Sequence, residues 1–285
     1  MPNTGKIIGP FKSYAIILSN KRSNMDISTD DKLPDSYAIC LIGHGSRDPE
    51  GNQQFLTLWQ KLRERNFCPI TEGGILEFAK PTATEALSAC HQNDIKNMII
   101  VPGILFSGKH TQKDIPDIAR EIFQDQPEIN LIFSQPLATQ PEVMQVCRAR
   151  IEESEKLSPK SISRAETLLL IVAHGSRDTD FNTQVEKDLL QLGENLGFSK
   201  THICFAATSQ HSLEDVIFNP QEFHRVILLP FFLFTGVWVK RVHALADTFQ
   251  GKYPDTEFLR APCLGHHELI VDALIQRVRE SGRQT

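Results

Sequence analysis

The chain has 285 residues and a formal net charge of −5, with 40% hydrophobic and 23% charged residues. That composition is globular and long enough for two domains, and its acidic balance argues against general nucleic-acid binding, which leaves a basic footprint. No apolar run reaches the roughly 20 residues that span a bilayer, and six scattered cysteines without a CxxC pair argue against a disulfide framework, a zinc ribbon or an iron–sulfur cluster and fit reduced, cytoplasmic thiols.

In chain order, residues 1–34 read as a mobile leader. Ile7 to Leu18 is apolar but interrupted by Gly9, Pro10, Lys12 and Ser13, a poor signal-peptide core, and no small-residue cleavage site follows. Lys21 to Lys32 is polar, and Met25 offers an alternative start. Residues 35–151 form a first domain with strands expected at 37–43, 74–78, 97–101 and 130–133. Residues 152–166, polar and carrying Ser154, Ser158, Pro159, Ser161 and Ser163, form the linker. Residues 167–285 form a second domain with strands expected at 168–173, 202–206, 225–229 and 257–259. Short β-rich runs alternating with helical stretches are the mark of βαβ units. The expected class is α/β: two similar Rossmann-like domains, each a mainly parallel four-stranded sheet flanked by helices.

The two halves repeat each other. His44-Gly45-Ser46-Arg47-Asp48 recurs as His174-Gly175-Ser176-Arg177-Asp178, with Asn52 and Gln54 answered by Asn182 and Gln184. After the third strands, residues 101–108 match residues 229–236, ending in Gly108 and Gly236. Such self-similarity indicates an internal duplication. In open parallel sheets ligands bind beyond the carboxyl ends of the strands. The repeated motifs sit at those ends, so two facing halves would wall a cleft with them.

The halves then disagree. His110 aligns with Trp238, and Glu77 with Ala207, so the first half has His44, Glu77 and His110 at its strand ends while the second keeps only His174. Two imidazoles and one carboxylate suit a borderline divalent metal such as Co²⁺, Fe²⁺, Ni²⁺ or Zn²⁺. Three protein ligands leave positions open, the pattern of a reactive site. Read singly, each residue has an ordinary role: a surface histidine, or a glutamate that caps a helix. His91, His202, His211 and His224 read as surface residues, His243 as a helix-face residue, and His266-His267 as neighbours that diverge. His174 reads either as a functional group or as a turn residue bonding nearby backbone.

Four segments carry a resemblance. They are Leu41-Ile42-Gly43-His44-Gly45-Ser46-Arg47-Asp48, Leu76-Glu77-Phe78-Ala79-Lys80-Pro81, Phe106-Ser107-Gly108-Lys109-His110 with Asp114-Ile115-Pro116, and Phe231-Phe232-Leu233-Phe234-Thr235-Gly236. The chain resembles the class II chelatases, in particular the long, duplicated form of the sirohydrochlorin cobaltochelatase and ferrochelatase family, from about Asp35 to the end. The resemblance implies an ATP-independent lyase that inserts Co²⁺ or Fe²⁺ into sirohydrochlorin, on the way to cobalamin or sirohaem. It implies metal ligands at His44, Glu77 and His110, on one half only; imidazole chemistry makes His110 or His44 the expected proton acceptor as well. It implies no permanently bound cofactor; the metal is a substrate. Thr82, where serine is common, and Ser209-Gln210-His211 depart from the family pattern without touching the trio. The histidine-rich tail and cysteine cluster of some long members are absent.

The polycarboxylate macrocycle would need donors. Ser46, Arg47, Lys109 and Lys113 lie beside the trio in sequence, as does Lys80, and His174, Arg177, Trp238 and Lys240, with Arg241, are candidates on the facing wall. The expected partners are sirohydrochlorin and a divalent ion, with neither nucleic acid nor membrane, and the duplication suggests a monomer. Two rivals stand beside this reading: a transferase using His44 as nucleophile near Ser46, and a non-catalytic tetrapyrrole or metal carrier. The first lacks a Gly-x-Ser-x-Gly elbow, a P-loop and a Gly-x-Gly-x-x-Gly fingerprint.

Overall fold

Alternation along the central strands decides the layers, because successive side chains on a strand point to opposite faces. The structure, a computed structural model, describes residues 32–91, 94–206 and 220–282; Ala207, His211 and most of the expected leader lie outside them. In β1 (Tyr37–Gly43), Ile39 and Leu41 enter one core, while Ala38, Cys40 and Ile42 enter another on the opposite face. In β5 (Thr167–Ala173), Leu169 and Ile171 join the same core as Ile39, while Leu168, Leu170 and Val172 face a third. One shared core therefore joins the halves, and each half has its own outer core.

The first sheet runs β2 (Ile70–Ile75), β1, β3 (Asn97–Gly103), β4 (Asn130–Phe133), and all its pairings are parallel. The second repeats the order with β6 (Lys200–Phe205), β5, β7 (Arg225–Phe231) and β8 (Glu257–Arg260). The register is also repeated: Gly43 pairs with Ile75 and Gly103, and Ala173 with Phe205 and Phe231. Each half thus has a topological switch point, between β1 and β3 or between β5 and β7, where the crevice of an open α/β sheet lies.

The second strand begins earlier than the expected 74–78. Gly73 and Gly74 belong to it because helices press on both faces. A Cβ on Gly73 would stand 2.5 Å from the Trp59 ring, and one on Gly74 would stand 2.6 Å from the Thr82 carbonyl. Trp59 lies on α1 (Pro49–Glu64), and Thr82 caps α2 (Ala83–Cys90). Glu77 consequently lies in the loop past the strand rather than on it. The leader boundary also moves: Leu33 is buried and its N–H donates to the Phe67 carbonyl at 2.8 Å, so the packed chain starts before Asp35.

The helices do not respect the linear division. α3 (Ile115–Ile122) covers the first sheet's outer face with α2. α4 (Pro141–Lys156) takes up the first five residues of the expected linker and packs on β7 and β8, in the second sheet. α5 (Thr179–Leu196) and α6 (Val237–Lys252) flank the second sheet. α7 (Glu268–Gly282) packs back on β3 and β4. Each half thus lends its last helix to the other, and each loan is fastened by the tenth residue of the helix. Arg150 donates to the Leu264 carbonyl at 2.9 Å, and Arg277 to the Pro136 carbonyl at 2.9 Å and to Thr139 Oγ1 at 2.7 Å. The rest of the linker is held down by buried Arg225, which donates to the Lys160 and Ile162 carbonyls and to Ser158 and pairs with Glu257 at 2.6 Å.

Candidate functional site

The repeated pentapeptide is a strand-to-helix turn in which each residue has a task. Gly45 has φ 91, a left-handed conformation that glycine adopts without penalty, and a Cβ there would strike the Glu77 carbonyl at 1.9 Å. Ser46 Oγ accepts from the Asp48 N–H at 3.0 Å, and Asp48 caps α1 by accepting from Glu50 N–H. Asn52 clamps the turn: its Oδ1 accepts from Ser46 N–H and its Nδ2 donates to the Ser46 carbonyl, each at 2.8 Å. Ser176, Asp178 and Asn182 repeat these bonds at 2.8 to 3.0 Å. The repeated asparagine was legible as a repeat, but its partner was not, since the bond closes only once the turn has formed.

The turn sets His44 just beyond β1. Its Nδ1 lies 2.9 Å from the Gly45 carbonyl, and since that oxygen can only accept, Nδ1 carries the hydrogen and Nε2 the lone pair. His174 makes the same bond to the Gly175 carbonyl at 3.0 Å, the turn role foreseen as one reading of it.

His110 arrives from the far side of the switch point. Gly108 N–H donates to Thr111 Oγ1 at 3.0 Å, and Gln112 donates to Ser107 Oγ at 2.8 Å, so the loop after β3 is tied to itself. His110 opens a π-helical turn over His110–Asp114, in which its carbonyl accepts from Ile115 N–H. Pro116 has no N–H to give to Gln112, which disfavours the tighter α spacing there; such π turns often mark functional sites. The His44 and His110 rings meet edge to face, with centroids 4.4 Å apart and planes at 87°.

Glu77 is adjacent and exposed. Its N–H donates to the His44 carbonyl at 3.1 Å. Among the described residues, no three His, Cys, Asp or Glu side chains are gathered closely enough to hold a metal. The structure thus brings two members of the sequence trio together and holds the third beside them by its backbone. All six cysteines are buried free thiols, and burial pushes Cys68 and Cys263 up to about 11.

The other candidates divide. Arg47 lies over the Phe78 ring, 5.3 Å from its centroid. Lys109 reaches Asp114 Oδ1 at 3.4 Å. Lys113 and Arg177 are exposed. Trp238 stands 6.1 Å from His174 and carries Arg241 over its face at 5.0 Å. Lys240 crosses the halves to Asp48 Oδ2 at 2.6 Å, and Ser46 Oγ packs toward the Gly236 loop. Gln54 makes a second crossing by accepting from Thr235 N–H at 2.8 Å. Asp48 and Gln54 therefore lock the two loops together, a role invisible in sequence because their partners, Lys240 and Thr235, lie in the other half. The aromatic residues act mainly in packing: Phe106 contacts Phe181, Phe205 and Phe231 of the second half, and Phe234 contacts Phe55 of the first. No described helix is long and apolar enough to cross a membrane.

Comparison with known proteins matches this architecture. A sirohydrochlorin cobaltochelatase of Priestia megaterium is 24% identical over 247 residues, covering 85% of this chain and 79% of that protein. A sirohydrochlorin ferrochelatase of the same organism is 24% identical over 249 residues, covering 85% and 89%. Among solved structures, the sirohydrochlorin chelatase SirB from Bacillus subtilis subspecies spizizenii in complex with cobalt superimposes with a TM-score of 0.72 at 22% identity, covering 87% of this chain and 96% of that one. That likeness establishes the fold. The family model named CbiX matches twice, over residues 38–154 and 168–281, once on each copy of the duplicated turn and sheet, and by that double match the chain belongs to the CbiX family.

Proposed function

We propose that the protein is a lyase that inserts a divalent metal ion into sirohydrochlorin without ATP hydrolysis. The observation that carries this is the pair of imidazoles, His44 and His110, set edge to face across the switch point of one half only. The chelatases among its relatives support the substrate.

Insertion requires the macrocycle to lose its pyrrole N–H protons and the ion to shed water. His44 and His110 hold the incoming cation, and Glu77 completes the set by rotation of its exposed side chain. Imidazole and carboxylate together suit Co²⁺ and Fe²⁺. One histidine, once its Nε2 has given the ion up to the ring, accepts a ring proton on that nitrogen, a task suited to an imidazole. The half formed by residues 35–151 thus carries the chemistry, and residues 167–285 form the facing wall, with 152–166 between them.

Arg47, Lys109 and Lys113 on one side and Arg177 and Lys240 on the other receive the macrocycle's carboxylates, Lys240 after leaving Asp48. Ser46 and His174 shape the two turns, and Trp238 offers a flat apolar wall. Co²⁺ is the favoured substrate ion, with cobalamin as the product pathway; Fe²⁺ and sirohaem are the alternative. The duplicated halves supply two facing lobes in one chain, which supports a monomer, and the six free thiols support a cytoplasmic setting.

The test is the absorbance change on mixing protein, sirohydrochlorin and metal under anaerobic conditions, with Co²⁺, Fe²⁺ and Ni²⁺ in competition. A rate above the spontaneous reaction, fastest with Co²⁺, is the expected result. Binding without acceleration would leave a carrier in place of an enzyme.

A further inference from the structure

We propose that Asp114 is a positioning residue that fixes the tautomer of His110 and so keeps its Nε2 lone pair ready for the metal; this rests on the metal-holding role given to His44 and His110. The Asp114 carboxylate lies 2.9 Å from His110 Nδ1. A carboxylate oxygen only accepts, so at that distance it favours the hydrogen on Nδ1 of the neutral ring and leaves Nε2 bare. His44 reaches the same state through the Gly45 carbonyl. The two rings thus present the same kind of nitrogen by two separate devices, one built from backbone and one from a side chain.

The local fold holds the carboxylate for this task. Asp114 follows His110 by four residues at the end of the π turn, with its side chain only a quarter exposed. Its other oxygen faces Lys109 Nζ at 3.4 Å, so the carboxylate is engaged on both sides.

The duplication provides the control. Counted from the loop glycine, the second half has Trp238 in the place of His110 and Val242 in the place of Asp114. Val242 is fully buried in the outer core. The half without the second histidine also lacks the carboxylate that would orient one. His44 and His174, by contrast, keep the same backbone bond in both halves. Asp114 goes with the histidine of the metal site rather than with the fold. Metal-bound histidines generally bond their second nitrogen in this way, and loss of that partner weakens metal binding by about 10- to 100-fold.

The test uses the full chain, labelled with ¹⁵N-histidine, and reads the His110 tautomer directly by long-range ¹H–¹⁵N correlation without metal. Co²⁺ affinity is then read from its visible absorption. Wild type is expected to carry hydrogen on His110 Nδ1. Asp114→Ala should lose that preference and bind Co²⁺ on the order of 10- to 100-fold more weakly. Asp114→Asn, whose amide oxygen still accepts, should recover most of the affinity. Asp117→Ala, which removes an exposed partner of Arg120 on α3, should match wild type. Hydrogen on Nε2 in wild type, or wild-type tautomer and affinity in Asp114→Ala, overturns the proposal. Should Asp114→Ala fail to fold, the wild-type tautomer and the Asp114→Asn affinity decide. A wild type that binds Co²⁺ with no effect of Asp114 overturns this proposal alone, whereas one that binds no Co²⁺ overturns the metal reading of the site.

Discussion

His174 and Trp238 stand edge to face with ring centroids 6.1 Å apart and planes at 86°, the arrangement that His44 and His110 adopt at 4.4 Å and 87°. The second half has kept the geometry of the first and replaced one imidazole by an indole. An indole offers only an N–H donor and no lone pair for a cation. The shared turn is therefore a property of the fold, and the pair of free nitrogens is a property of one half.

Phe78 is the strained residue of the site. Its φ of 71 is a left-handed conformation in a bulky residue that is 55% exposed, and Arg47 lies over its ring. Such strain costs on the order of 1–2 kcal/mol and persists where it serves function. Phe78→Gly is expected to raise stability by about 1 kcal/mol in urea unfolding, while raising KM for sirohydrochlorin because Arg47 loses its platform. A lower stability with unchanged KM would contradict this.

The buried pair Arg225–Glu257 fastens the chain between the halves to the second sheet. Both side chains are nearly inaccessible, at 3% and 9%, and Ser158 donates to Glu257 at 2.6 Å. Glu257→Gln leaves the Arg225 charge buried without a counter-ion. Breaking such a pair costs about 3–5 kcal/mol, and the midpoint of urea unfolding should fall accordingly.

The exchanged helices predict how the chain can be cut. A break between residues 156 and 157 leaves each fragment with the helix that belongs on the other sheet. Neither fragment alone should show cooperative unfolding, and mixing them should restore it, as followed by circular dichroism. A first fragment that folds alone with full cooperativity would refute the exchange.

The Asp48–Lys240 contact between the halves should shape the pH dependence of stability. Lys240 holds the Asp48 carboxyl below its usual range, and Asp48 holds the Lys240 ammonium above its own. The carboxyl contribution is fully present above the unfolded value of about 3.9 and is lost as pH falls through the depressed folded value. The ammonium contribution is fully present below about 10.4 and is lost as pH rises through the raised folded value. Asp48→Asn should flatten both limbs of a Tm-against-pH curve relative to wild type.

Much of this was legible in the sequence. The duplication, the sheet class and the pairing of His44 with His110 follow from repeats and from their one-sided failure. What the sequence did not show shares a cause. Lys240 was visible as a candidate on the facing wall, but its contact with Asp48 of the other half was not. The part of β2 before Gly74 was hidden, because Gly73 is there to admit Trp59, which only packing reveals. The exchange of α4 and α7 left no local trace, since either helix has an apolar face that suits either sheet. Asp114 was visible in its motif, four residues after His110, yet its role depends on a turn whose π form sequence does not announce.

The most direct test of the account is the initial rate of Co²⁺ insertion into sirohydrochlorin, followed anaerobically by absorbance, for wild type, His110→Ala and His174→Ala. The two histidines occupy the same kind of place in the two halves, so the comparison isolates the chemistry from the fold. The expected result is insertion well above the spontaneous rate in wild type, none above it in His110→Ala, and substantial turnover in His174→Ala with the loss confined to stability or KM. Equal loss of turnover and metal affinity in both variants would contradict a metal site carried by the first half alone.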